Sequence, residues 1–163
     1  MRYLVAAAGL SGALLAVGAA AKPIAPHVRA DEMFTAQMSG SNEQPAPVST
    51  DASGTVEFTA TATGIRYRVT VSNLSSPATS AHIHGPAGAN ASAGVLVPFS
   101  GVSKDTNGEI ASGMITSTTN ASISLDSLKA LMRTGQVYAQ VHTTKNPQGE
   151  IRGQVQHKAG AMP

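Results

Sequence analysis

The sequence contains no cysteine and no tryptophan, and it has only three tyrosines and three phenylalanines among 163 residues. Without cysteine the chain has no disulfide, no thiolate nucleophile and no thiolate metal ligand, and it lacks the cysteine that anchors a lipid-modified lipoprotein. Any bound metal must therefore be held by histidine, carboxylate, thioether or backbone oxygen. A chain of this length is able to stabilise itself through a hydrophobic core alone.

Charge is also scarce, at 12% of residues. Three of the 11 basic residues (Arg2, Lys22 and Arg29) precede Asp31, whereas all nine acidic residues lie from Asp31 onward. Residues 31–163 thus carry eight basic and nine acidic side chains, a net charge of −1. No basic stripe with interleaved aromatics is present, so nucleic-acid binding is not expected.

The usual signatures of hydrolases are missing as well. The chain has no Gly-x-Ser-x-Gly elbow, its few carboxylates are scattered, and the Gly-rich segment 85–94 lacks the Lys-Ser/Thr ending of a phosphate loop. That segment is expected to form a flexible loop beside His84. The sequence offers no catalytic residue, and the balance is against an enzyme.

The first 21 residues have the composition of a secretory signal peptide. Arg2 gives a short positive region, an apolar run extends from Tyr3 to Ala21, and small residues precede Lys22. A second cleavage site lies before Asp31. The alternative, an uncleaved membrane span, is disfavoured by the many alanines and glycines of the run. We expect an exported protein, periplasmic or secreted, with no membrane anchor after cleavage.

Beyond a tether at residues 22–32, residues 33–157 are predicted to form one domain, followed by a frayed tail at residues 158–163. Short alternating segments separated by Gly, Pro, Asn and Ser recur along the domain. This pattern predicts an all-β fold, an antiparallel β-sandwich or flattened barrel with one short helix. The predicted strands are 33–40, 55–62, 65–71, 80–85, 94–99, 109–116, 136–143 and 150–156.

The second and third strands are predicted to form a hairpin turning at Gly64. If Phe58 faces Tyr67, then Glu57 lies opposite Arg68 on the solvent face, as an opposite-charge cross-strand pair.

A single helix is predicted after Ser124, whose hydroxyl is a suitable N-cap. Asp126 would lie in its first turn, and Gly135 would end it. Its expected role is to cover one end of the sheet with an apolar face made of Leu125, Leu128, Leu131 and Met132.

Three histidines are the most informative feature of the chain. His82 and His84 are two residues apart on a predicted strand, so both point to the face opposite Ile83. His142 lies on the outward parity of a later strand whose inward residues are Val137, Ala139 and Val141. If the two strands are neighbours, all three imidazoles emerge together on the non-core side. Such a set suits Cu(II) or Zn(II), with copper preferred by the affinity order, and water or Met114 as a fourth ligand.

The alternative interpretation is that each histidine packs at the sheet and bonds to a backbone carbonyl. Arg152 shares the outer face with Glu150, and it is either a guanidinium that attracts anions beside the metal or one half of an ion pair. The other two histidines, His27 in the tether and His157 at the end of the last strand, are not expected to be ligands.

Several blocks of the chain resemble a CHRD domain, the module repeated in chordin and found singly in many exported bacterial proteins. The similar blocks run from residue 33 to residue 156. The resemblance implies an immunoglobulin-like or superoxide-dismutase-like β-sandwich. In chordin such domains belong to an extracellular protein that binds growth factors. The blocks are Phe34–Gly40, Glu43–Pro45, Ile65–Val69, Ala81–Ala87, Gly135–Thr143 and Pro147–Gln154.

The histidines also resemble, more weakly, the copper ligands of Cu/Zn superoxide dismutase. In that enzyme two ligands form a His-x-His pair on one strand, matched here by His82 and His84, and a late strand supplies another, matched by His142. The bridging histidine, the His-rich loop with an aspartate and the disulfide cysteines have no counterpart. The resemblance therefore implies at most a reduced, mononuclear copper site.

Three functions remain open from the sequence. The first is an exported module that binds copper, with zinc as the alternative metal, for sequestration, delivery or protection. The second is a metal-free structural or adhesive module that binds protein or polysaccharide. The third is a copper oxidoreductase of the dismutase type.

Overall fold

The computed structural model describes residues 31–158. The predicted signal peptide, most of the tether with His27, and the tail beyond residue 158 lie outside the described residues. The elements are β1 Glu32–Ser39, β2 Ser53–Ala60, β3 Ile65–Ser72, β4 Ala78–His84, β5 Val95–Pro98, β6 Gly108–Ile115, α1 Leu125–Arg133, β7 Tyr138–Thr143 and β8 Ile151–His157, with one 3-10 turn at Gly40–Asn42.

All eight strands belong to one antiparallel sheet in the order β5-β4-β7-β8-β1-β2-β3-β6. The all-β class with one short helix is confirmed. The strands do not separate into two hydrogen-bonded sheets, because β1 pairs with β2 on one side and with β8 on the other. Among residues 31–158 no helix is long and apolar enough to cross a membrane.

The sheet curls so that its two ends approach each other. Phe99, which follows β5, stacks on Tyr67 of β3 with ring centroids 4.5 Å apart. The Ser100 backbone N–H donates to the Tyr67 hydroxyl at 3.0 Å. The inward residues of the curled sheet and of the helix form the hydrophobic core. Its largest buried members are Phe34, Phe58, Ile65, Ile83, Leu96, Ile110, Leu128, Met132 and Ile151.

The β2–β3 hairpin has the predicted register. Phe58 lies opposite Tyr67, and Glu57 lies opposite Arg68. The guanidinium of Arg68 pairs instead with Glu109 of β6, at 3.2 Å. The register follows from alternation along the strands, whereas the choice of ion-pair partner depends on β6 lying beside β3.

The predicted helix is also confirmed. The Ser124 hydroxyl accepts a hydrogen bond from the Ser127 N–H at 3.1 Å, and Gly135 follows the helix with a φ of +64°. Leu128 and Met132 are fully buried, so the apolar face packs on the core as expected.

Candidate metal centre

The three predicted histidines come together because β4 and β7 are adjacent. In their antiparallel register Ser80 lies opposite His142, and His82 lies opposite Gln140. His142 is therefore a diagonal neighbour of His82, on the same face of the sheet. The ring centroids are 5.0 Å apart for His82 and His142, 5.5 Å for His82 and His84, and 6.1 Å for His84 and His142.

Each histidine presents one buried ring nitrogen without a hydrogen-bond partner. These atoms are Nδ1 of His82 and Nε2 of both His84 and His142. The nitrogen atoms that the three rings can offer to a metal lie within 4.8 Å of one another. A shared ion at metal–nitrogen distances of 2.0–2.1 Å requires nitrogen–nitrogen separations of about 3–4 Å, so the rings would move closer together on binding one ion.

Two of the rings are held in one tautomer by backbone carbonyls. His84 Nδ1 lies 3.0 Å from the Ala93 carbonyl, and His142 Nδ1 lies 3.1 Å from the Pro147 carbonyl. Because a carbonyl can only accept, Nδ1 must carry the proton in both rings, which leaves a lone pair on Nε2. A backbone carbonyl on the second ring nitrogen is the usual way to orient a metal-binding histidine.

The environment keeps the three imidazoles neutral. Burial, with smaller contributions from the neighbouring His142 and His84, lowers the pKa of His82 to about 4. Burial also lowers the pKa of His84 and of His142, against the opposing effect of their carbonyl hydrogen bonds. Neutral imidazoles are the form that binds metal ions, so little free energy is spent on deprotonation near pH 7.

Tyr138 of β7 lies between the histidine cluster and Arg152 of β8. Its ring stacks on His84 with centroids 5.0 Å apart and planes 5° apart. Its hydroxyl accepts from the Ala93 N–H and donates to the Ala93 carbonyl, at 3.1 and 3.2 Å. The Tyr138 ring, which stacks on His84, is thereby hydrogen-bonded to the same loop residue whose carbonyl orients His84. The outward parity of Tyr138 was visible in the sequence, but its contact with residue 93 depends on the path of a long loop.

Arg152 lies beyond Tyr138, and not among the histidines. Its guanidinium carbon is 3.6 Å from the Tyr138 ring centroid. Since β4 and β8 flank β7 on opposite sides, the Tyr138 ring separates the guanidinium from the His84 imidazole. Arg152 Nη2 donates to the carbonyls of Gly88, Ala89 and Ala91, so it fixes the loop that carries Ala93.

Glu150 does not pair with Arg152. Its fully buried carboxylate accepts hydrogen bonds from the Thr50 and Thr143 hydroxyls and from both the N–H and the hydroxyl of Ser75. Burial acts to raise the pKa of Glu150, but these four bonds hold it below its ordinary value. Glu150 therefore joins three separate segments of the chain and has a structural role.

A second buried carboxyl, which the sequence did not single out, lies on the same face. Glu43 accepts from Gln140 Nε2 at 2.6 Å through Oε2, while its Oε1 is buried without a partner. Burial raises the pKa of Glu43 to about 7, against the lowering effects of the Gln140 hydrogen bond and the Arg152 charge.

The remaining candidates stay outside the cluster. The Met114 sulfur lies against Gly64, where a Cβ atom would come within 2.7 Å of it, so the structure does not place it among the histidines. His157 packs on Phe34 with ring centroids 4.5 Å apart, at the far end of β8. The three histidines form the single cluster of three metal-ligating side chains found within residues 31–158.

Comparison with known families gives a match to the CHRD domain over residues 34–155. The chain belongs to the CHRD family. The match covers the sheet from β1 almost to the end of β8, so the CHRD domain and the described fold are the same unit. Comparisons of this CHRD domain with curated proteins and with solved structures found no match.

Proposed function

We propose that this CHRD protein binds one transition-metal ion through His82 Nδ1, His84 Nε2 and His142 Nε2. The observation that supports the proposal is the convergence of three buried, unpartnered imidazole nitrogens on the outer face of β4 and β7. If these histidines were only structural, their second nitrogens would be expected to find partners, because unpaired buried polar atoms are rare and costly.

Copper is the metal that we propose. Three neutral imidazoles without a thiolate suit both Cu(II) and Zn(II), and the general affinity order favours copper. Three protein ligands leave a fourth position for water or a small ligand. The function proposed is binding for sequestration, delivery or protection. No second cluster of three or more metal-ligating side chains occurs in the described part of the chain, so nothing supports the two-metal arrangement of the dismutases.

We also propose that the protein is exported. The support is the sequence of residues 1–21, in which Arg2 precedes an apolar run and a small-residue cleavage site. An exported domain without cysteine avoids oxidation of thiols by copper, which is consistent with a copper-handling role.

The proposal is tested by titrating the purified protein with Cu(II) in a calorimeter. We expect one ion per chain with a sub-micromolar dissociation constant. The variants His82→Ala and His142→Ala each remove one ligand and should weaken binding by more than about 100-fold, because losing even an outer-shell partner of a ligand costs 10–100-fold. Electron paramagnetic resonance of the Cu(II) form should show coupling to imidazole nitrogens.

His157→Ala is the matched control, because it removes an imidazole outside the cluster. It should bind Cu(II) as the parent protein does, and circular dichroism should show that all variants are folded. Equal, weak binding by the parent protein and by both cluster variants would contradict the proposal.

A further inference from the structure

A polar cleft lies on the outer face of β1 and β8, next to the loop that covers Tyr138. Its volume is about 350 Å³, which is within the range of small-molecule sites. Of its ten lining residues, two carry hydroxyls (Thr35 and Ser41), one is Ala89 and one is Arg152. The other six are carboxamides: Gln37, Asn42, Gln44, Asn90, Gln154 and Gln156.

Arg152 places a buried positive charge at this cleft. Its side chain is among the largest fully buried ones, with 2% of the residue exposed. All hydrogen bonds that the guanidinium makes within residues 31–158 leave from Nη2 and end on backbone carbonyls. These dipoles and the Tyr138 ring stabilise the cation, but no described carboxylate forms an ion pair with it.

The carboxyl whose charge acts on Arg152 is Glu43, and it forms no ion pair with the guanidinium. The charge of Arg152 lowers the pKa of Glu43, but burial outweighs this effect and raises that pKa to about 7. A buried guanidinium without a full counter-charge attracts an anion, and carboxylate is the planar group that best matches its geometry.

The rest of the lining indicates what else the ligand carries. Carboxamides both donate and accept hydrogen bonds, as sugar hydroxyls do. Gln154 donates through Nε2 to the carbonyls of Ala87 and Gly135, and these two bonds fix its carboxamide at the wall of the cleft. No aromatic or large aliphatic side chain lines the cleft, which disfavours an apolar ligand.

We propose that this cleft is a binding site for a hydroxylated carboxylate, with Arg152 facing the carboxylate and the carboxamides facing the hydroxyls. Two sources share this chemistry: a uronic-acid unit of a polysaccharide and a small free hydroxy acid. None of the three histidines lines the cleft, so the proposal does not rest on the proposed metal function.

The test is NMR titration of the ¹⁵N-labelled protein with glucuronate and, separately, with glucose, in the presence of a chelator at low ionic strength. The two probes differ in the carboxylate. We expect saturable shifts of residues 35, 37, 154 and 156 with glucuronate, and at least about tenfold weaker binding of glucose. Tighter binding of a di- or triuronate identifies the polysaccharide as the source, and binding of citrate without a gain from chain length identifies the free acid.

Asn90→Asp is the variant that tests the cleft, because Arg152 itself is buried and its substitution is expected to destabilise the fold. An added carboxylate at this exposed loop position repels the ligand or competes with it, and should weaken glucuronate binding by at least about fivefold. Asn107→Asp makes the same change on an exposed loop residue outside the cleft and should have no effect. His82→Ala removes a histidine of the candidate metal centre that, unlike His84, is not hydrogen-bonded to the loop beside the cleft. This variant should bind glucuronate normally.

Three results would overturn the proposal. These are equal binding of glucose and glucuronate, the absence of saturable shifts at the cleft residues, and equal effects of the Asn90 and Asn107 substitutions.

Discussion

At the residue scale, the histidines of the candidate centre differ in how they are oriented. His84 and His142 each donate Nδ1–H to a backbone carbonyl, whereas His82 Nδ1 is buried without a partner. A metal ion would thus receive one δ nitrogen and two ε nitrogens. The two oriented rings depend on loops 85–94 and 144–150, and the third depends only on its strand.

Glu43 gives a residue-scale prediction about pH. A carboxyl whose pKa is raised from 4.5 to about 7 binds protons more readily in the folded state, so it stabilises the fold at low pH and loses that contribution as pH rises through about 7. Glu43→Gln removes this dependence. The unfolding free energy of the variant, relative to the parent, should rise by about 2 kcal/mol between pH 5 and pH 8.

Urea denaturation at several pH values measures this difference. A pH-independent difference in unfolding free energy between the two proteins does not affect the prediction, because the prediction concerns how that difference changes with pH. Glu57→Gln makes the same substitution at an exposed position on β2 and is the control. Parallel pH profiles of the parent and Glu43→Gln would contradict the prediction.

At the scale of elements, the antiparallel strands β1 and β8 approach each other closely at Gly153. The pairing of these strands covers Phe34 to Ala36 and resumes at Ser39, opposite Arg152. In the interval between them Gly153 lies against the Gln37–Met38 peptide, and a Cβ on Gly153 would come within 2.2 Å of the Gln37 carbonyl oxygen. This contact is with backbone, so it cannot be relieved by rotation of a side chain.

Gly153→Ala should therefore destabilise the protein by more than about 2 kcal/mol, through overpacking at the junction of the two halves of the sheet. The measurement is the midpoint of urea unfolding. Gly94→Ala is the matched control, because a Cβ there meets nothing within 4 Å. Its expected change is within about 0.5 kcal/mol. Similar midpoints for the two variants would show that β1 and β8 adjust without cost.

At the scale of the whole molecule, the candidate metal centre and the polar cleft lie on one face of the sheet and share the loop 85–94. That loop supplies the Ala93 carbonyl to His84 and three carbonyls to Arg152. The Tyr138 ring stands between the imidazole and the guanidinium. The outer face of β4, β7 and β8 is thus covered by loops and holds an ordered set of polar side chains.

Binding to the folded state alone predicts a thermal effect for the whole domain. At a free Zn(II) concentration 100 times the dissociation constant, the folded state gains about 2.7 kcal/mol. For a domain of this size the melting temperature should rise by roughly 8–12 °C. Calorimetric melting of the parent and of His157→Ala should show this rise, and the His82→Ala/His84→Ala variant should show none. An equal rise in all three would place the bound zinc elsewhere.

The sequence predicted the local features well. Alternation located all eight strands, gave the β2–β3 register and placed His82, His84 and His142 on the outer face. Ser124 and Gly135 marked the ends of the helix. These features depend on side-chain period and on capping, which act over a few residues.

Contacts between distant segments were not available from the sequence. The histidine cluster requires β4 and β7 to be neighbours, and only the folded structure showed that they pair. The partners of Arg152 are loop carbonyls 61 to 64 residues away, and those of Glu150 include Thr50 and Ser75. Periodicity determines which face a side chain takes, so it determined the class of the fold and the face on which the candidate ligands lie. Which strands become neighbours depends on the packing of the whole core, and this packing alone decided how the histidines, the carboxyls and the polar cleft are arranged.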